Sequence, residues 1–212
     1  MAAPRFADRA EAGRLLAEEL ERRGELPSGV VVLGIPRGGV TVAAEIARDR
    51  DAVLDVVLAR KIGAPANPEL AIGAVGPDGQ ALLDADVATR LAPDPDWVER
   101  ATERARQEVL ERVRRFRGDR PPLDVRGRRV VVVDDGLATG STAGAVGLFL
   151  RGAGADRSIL AVPVGPSATV ERLGELYDEV VVLATPEPFY AVGEFYRDFR
   201  QVTDEEAARA LA

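Results

Sequence analysis

The stretch Val130 to Thr142, VVVVDDGLATGST, constrains this chain more than any other segment. Four consecutive valines form a strand buried on both faces, the habit of a parallel sheet covered by helices on each side. Asp134 and Asp135 stand where that strand ends. Small and hydroxyl residues follow (Ala138, Thr139, Gly140, Ser141, Thr142), and then a helical pattern begins. A turn of small residues lets backbone N–H groups converge on an anion, and a helix N-terminus adds unpaired donors. The two carboxylates repel such an anion. They suit neutral hydroxyls or a Mg²⁺ ion. Together these parts fit a sugar with a phosphate at one end and a diol in its middle. The competing reading is a parallel strand that happens to end in two acids before a capped helix.

The rest of the chain alternates in the same style. Residues 6–23 read as an amphipathic helix with Leu16 and Leu20 inward, and Val30–Ile35 as a buried strand. A glycine-rich turn, Pro36-Arg37-Gly38-Gly39, leads into a helix over Val40–Arg50. Val53–Ala59 is a second strand, ending at Arg60-Lys61. Residues 62–69 read as a loop, Leu70–Val75 as a strand, and Ala81–Leu83 as its hairpin partner across Pro77-Asp78-Gly79. Asp94-Pro95 opens a helix. Its apolar stripe is Trp97, Ala101, Ala105, Val109, Val113 and Phe116, and its other face is solvated charge or a dimer contact. Residues 118–128 connect to the valine strand. After the loop, a helix to Arg151, a strand over Ile159–Val164, a helix over Ser167–Leu176 and a strand over Glu179–Leu183 complete the series. The fold class is α/β, a doubly wound, mostly parallel sheet flanked by helices, with a small C-terminal or hood element. We expect one domain over 1–212, a helical insertion at about 92–120 and a C-terminal flap at 186–212.

Composition removes whole classes of chemistry. The 212 residues include no His and no Cys, so thiol chemistry, a histidine base and a Ser-His triad are all excluded. Arg and Lys number 28 against 35 acids, a net charge of −7, which opposes nonspecific nucleic-acid binding. No apolar leader or membrane-length run is evident, and a cytoplasmic protein is expected. Lys61 is the only lysine in the chain. A compact ammonium on a flexible stem suits a mobile contact to a diphosphate, where a guanidinium fork suits fixed geometry. Chance retention of one surface lysine is the bland alternative.

Ligands of open α/β sheets gather at the carboxyl ends of the strands. Three segments join the acid pair there. Pro36–Gly39 is a tight turn carrying one cation, or an ordinary strand-to-helix turn. Arg60-Lys61 is a charged strand end, functional or merely solvated. The tail, residues 186–206, concentrates Phe189, Tyr190, Phe195, Tyr196 and Phe199. Its rings can stack a planar heterocycle or pack a flap.

These segments, in this order, resemble the type I phosphoribosyltransferases. The closest likeness is to a bacterial subgroup carrying GIPRGG, RKIGAPxNPELAIGAV, DDGLATG and PFYAVGxFYRDF, whose acceptor is unsettled. The resemblance implies Mg²⁺-dependent transfer of phosphoribose from phosphoribosyl diphosphate (PRPP) to a nitrogen nucleophile, a nucleobase or related heterocycle. By that likeness Arg37, Lys61, Asp134 and Asp135 are catalytic, with both acids holding metal directly or through water. Gly38, Gly39, Arg60, Ala138, Thr139, Gly140, Ser141 and Thr142 bind PRPP, and Phe189 or Tyr190 stacks the acceptor. The expected partners are PRPP and a small acceptor, with no nucleic acid or membrane and a possible homodimer. In the hypoxanthine–guanine branch an Asp stands where this chain has Ala138, and a late lysine reads the purine. No lysine lies beyond Lys61 here, which argues against a 6-oxopurine handled in that way. A non-catalytic PRPP- or nucleotide-binding regulator is the alternative, and hydrolysis with water as acceptor is a third reading.

Overall fold

A computed structural model describes residues 6–211 except 93, 119, 121 and 122. In chain order it contains α1 (Arg9–Arg22), β1 (Val30–Gly34), α2 (Gly38–Ala47), β2 (Ala52–Val56), β3 (Arg60–Ala64), β4 (Asn67–Val75) and β5 (Ala81–Leu83). There follow α3 (Ala85–Leu91), α4 (Pro95–Arg117), β6 (Arg129–Val133), α5 (Ser141–Ala153), β7 (Arg157–Val164), α6 (Ser167–Leu173) and β8 (Glu179–Ala184). A 3-10 turn at Val192–Phe195 and α7 (Asp204–Ala210) close the chain. The expected termini at 1–5 and 212, and part of the 118–128 connector, lie outside the described residues.

The main sheet has five parallel strands in the order β2-β1-β6-β7-β8. Alternation along the valine strand sets the two layers. Val131 and Val133 pack with Leu16, Leu20, Val42 and Ile46 of α1 and α2. Val130 and Val132 pack with Val146, Phe149 and Leu150 of α5. Four valines in a row are needed because β6 sits centrally and is covered on both faces. The fold class expected from sequence is the one observed.

A second, antiparallel sheet, β3-β4-β5, leaves β2 and packs α4 on one face. Here the structure corrects the sequence reading. The expected loop at 62–69 is largely a hairpin, with β3 running to Ala64 and β4 starting at Asn67. Glycine and proline in this stretch mark close approach and irregular register. A side chain on Gly63 would put its Cβ 2.3 Å from the Pro68 carbonyl oxygen, and the register shifts on both sides of Gly63.

Helix α4 starts as its sequence suggests, with the Asp94 carboxylate accepting from the Asp96 N–H and Pro95 at the first helical position. Its inward stripe is Ala105, Val109, Val113 and Phe116. Helix α7 joins the same cluster through Ala207. The end of α4 is pinned to β2 by a buried ion pair, Arg117 Nη2 to Asp55 Oδ2 at 2.8 Å, with a second bond to the Val56 carbonyl at 3.1 Å. Among the described residues, no helix is long and apolar enough to cross a membrane.

Candidate active site

The acid pair sits at the tip of the central strand and faces the turn after β1. Gly39 lies so close that a Cβ there would be 2.5 Å from the Val133 carbonyl and 2.8 Å from Asp134 Cα. On Gly38 it would be 1.8 Å from Asp135 Oδ2. The two glycines therefore allow the two loops to touch. The Pro36–Arg37 peptide between them and β1 is cis. The Arg37 side chain is partly exposed and lies 3.8 Å from Asp204 of α7.

Asp135 is held by a residue that local sequence does not announce. Arg9, at the start of α1, donates from Nε to Asp135 Oδ2 at 2.7 Å. The same guanidinium donates to the Arg200 carbonyl at 2.9 Å and lies 4.0 Å from the centre of the Phe199 ring. The Tyr196 hydroxyl donates to the Asp135 carbonyl at 2.6 Å. Burial, with the nearby Asp135 charge, pushes that phenol above its usual range. The C-terminal segment is thus wired to the acid pair. Asp134 differs from its neighbour. It is half-buried, and its Oδ1 accepts from the Asp135 N–H at 2.8 Å. Desolvation, then the Asp135 charge, raises its carboxyl well above the ordinary carboxylate range.

The loop that follows is open. Ala138, Thr139 and Thr142 are exposed. Gly140 takes φ of 66°, and no side chain caps α5. The Ser141 N–H donates to the Thr139 hydroxyl oxygen at 3.4 Å, and the amides that follow it in the first α5 turn are left for a ligand or water. Helix α6 braces the loop from behind. Thr169 donates to the Ala138 carbonyl at 3.2 Å, and Arg172 donates to the Thr139 carbonyl.

Two cavities meet this loop. One, of about 440 Å³, lies between β3, α4 and the start of α5, and is bordered by Lys61, Trp97, Ser141 and Thr142. The other, of about 370 Å³, is bordered by Lys61, Thr139, Gly140 and Ser141. The structure brings Lys61 to the loop and brings Gly38 and Gly39 to the acid pair, while the ion-pair partner of the Arg37 side chain is Asp204. Arg37 and the two acids border neither cavity. Arg60 points to α4, where its Nε lies 2.8 Å from Glu108. Phe189 stacks on Phe195 at 5.2 Å, while Tyr190 is 78% exposed. Neither ring borders the two cavities.

The donor set matches the way magnesium is held. Among the described residues there is no cluster of three or more metal-ligating side chains. Mg²⁺ commonly uses one or two carboxylates and completes its shell with substrate oxygens and water. Asp134 and Asp135 supply that pair, with Asp135 Oδ2 already engaged by Arg9.

A doubly wound sheet with an acid pair and an uncapped loop at its central strand defines the class. Residues 8–198 match the family described as "Phosphoribosyl transferase domain", and the chain belongs to that family. Two Mycobacterium tuberculosis proteins, "Putative phosphoribosyl transferase MT0597" and "Putative phosphoribosyl transferase Rv0571c", are each 46% identical over 206 residues, 97% of this chain and 46% of theirs. The chain therefore spans about half the length of these curated relatives. The crystal structure of TT1426 from Thermus thermophilus superposes with a TM-score of 0.90 at 48% identity, covering 98% of this chain and 97% of that one.

Proposed function

We propose that the protein transfers phosphoribose from PRPP to a nitrogen of a small acceptor, a nucleobase or related heterocycle, with Mg²⁺ bound. One observation carries this reading: Lys61 and Ser141 border the same two cavities. The lone ammonium and the amide-lined cup then serve one ligand with phosphate at both ends. Strand order supports it. The Lys61 hairpin follows β2 at one edge of the main sheet, the acid pair follows central β6, and the aromatic tail follows β8 at the other edge. Leaving group and acceptor would approach the sugar from opposite sides.

In this arrangement the amides and hydroxyls of Ala138 to Thr142 hold the 5-phosphate. Asp134 and Asp135 hold the ribose hydroxyls. The acceptor nitrogen's lone pair forms the new bond to C1, and the electrons of the old C1–O bond leave with diphosphate. Arg37, Gly38, Gly39, Arg60 and Lys61 face that diphosphate, whose charge grows as the bond breaks. Mg²⁺, held by Asp134 and Asp135 directly or through water, would neutralise the charge that grows on the leaving diphosphate. Phe189 or Tyr190 flanks the acceptor, and the hairpin keeps water from the strained sugar.

The test is a PRPP titration of the Asp134→Asn/Asp135→Asn double variant with Mg²⁺, beside a diphosphate-release assay over a panel of bases and amines. We expect binding to be lost, and release that depends on an acceptor. PRPP binding equal to the parent rejects the site. Binding without release for any acceptor replaces the enzyme with a non-catalytic PRPP sensor, and acceptor-independent release points to hydrolysis.

A further inference from the structure

The outer face of α4 is more than a solvated surface. Arg104, Glu108 and Arg112 recur every four residues and so share one side of the helix. That side, with Trp97 and Ala101, walls the 440 Å³ cavity that Ser141 and Thr142 also border. Four cationic side chains surround the space, Arg60, Lys61, Arg104 and Arg112, against the one carboxylate of Glu108. Glu108 is already paired with Arg60 at 2.8 Å. Arg104 and Arg112 make no ion pair or hydrogen bond among the described residues. By contrast, Arg100, Arg106, Arg115 and Arg117 each pair with a carboxylate.

With Arg60 answered by Glu108, Arg104 and Arg112 still leave this wall a positive excess in a chain of net charge −7. Like charges along one wall repel each other, and a bound polyanion relieves the repulsion. Arginines eight residues apart on a helix are separated by about 12 Å along its axis. Two guanidinia set apart along one side of a helix suit an anion wider than a single phosphate. Side matters too. The cavity adjoins the end of β2 through Leu58 and Ala59. It therefore lies at the opposite edge of the main sheet from β8 and the aromatic tail.

We infer that Arg104 and Arg112 form the α4 half of a diphosphate site, meeting from the helix side the anion that Lys61 meets from β3. The inference rests on the transferase reading and adds two binding residues to it. Both side chains are exposed, so their replacement leaves the buried stripe of α4 intact.

The experiment is calorimetric titration of the full chain, at fixed Mg²⁺, with inorganic diphosphate and separately with ribose 5-phosphate. The proteins are the parent, Arg104→Gln, Arg112→Gln, their double variant, and Arg114→Gln as a control outside the cavity wall. Each single variant should weaken diphosphate about fivefold to tenfold, as expected for loss of a charge-assisted bond. The double variant should weaken it further, with ribose 5-phosphate changed less than threefold and Arg114→Gln silent. Diphosphate that binds the double variant like the parent, fails to bind the parent, or weakens equally with Arg114→Gln overturns the inference. Ribose 5-phosphate that binds none of the proteins instead counts against the transferase reading, whatever the diphosphate result.

Discussion

Arg9 donates to Asp135 at 2.7 Å across 126 positions of sequence, with side chains only 10% and 16% exposed. The pair joins the first helix to the tip of the central strand. Removing the guanidinium leaves a largely desolvated carboxylate without its partner. Arg9→Ala should cost about 2–3 kcal/mol in urea unfolding and weaken PRPP binding as well. Arg9→Lys should restore part of both, because the ammonium cannot also reach the Arg200 carbonyl in the same geometry. Stability equal to the parent in Arg9→Ala would show that the pair is dispensable.

Gly38 has no room for a methyl group. Its Cβ would fall 1.8 Å from Asp135 Oδ2 and 2.8 Å from Arg9 Nε. Gly38→Ala should therefore displace the acid pair, costing about 1–3 kcal/mol of stability and most PRPP affinity. A variant that binds PRPP normally would contradict the contact between the two loops.

Asp134 should trade stability for function. Its folded carboxyl titrates above its ordinary range, so its contribution to stability is greatest at low pH and is lost as pH rises through the folded value. Asp134→Asn keeps an oxygen for the Asp135 N–H and removes the desolvated charge. At neutral pH we expect a Tm higher by roughly 3 °C or more, and the gain should vanish below about pH 4, where the unfolded carboxyl is also protonated. A Tm difference independent of pH would refute the burial argument.

Lys61→Ala should separate chemistry from binding. Losing one donor at a developing charge typically lowers turnover about a hundredfold or more. Ribose 5-phosphate, which lacks the leaving group, should bind within about threefold of the parent. Turnover that survives the substitution would remove Lys61 from the leaving-group side.

Tyr190 offers a large ring to solvent. Tyr190→Ala should leave Tm unchanged within about 1 °C, while raising the acceptor KM roughly tenfold through lost stacking. An unchanged KM would move the stacking role to Phe189, or out of the tail.

Much of this architecture was legible because local pattern and burial agree. Val130 to Val133 are all buried, and a run of valines is the direct imprint of that environment. Asp94-Pro95 marked α4 because cap and first turn are local chemistry. The β3–β4 hairpin was less legible. Gly63 looks like a loop residue, yet it is glycine because the Pro68 carbonyl oxygen of β4 would lie 2.3 Å from its missing Cβ. Helix α7 is short, but its capping box, Thr203 with Glu206, was a readable signal. Arg9, Arg104 and Arg112 carried no such signal. Their partners or cavity come from distant segments, and an arginine on a charged helix face looks the same whether it meets water or a ligand.

The Arg117–Asp55 bond gives α4 a fixed footing on β2. A roof bolted at that corner is harder to lift there than the exposed Pro65–Ala66 turn of the hairpin, which forms the sill of the same chamber.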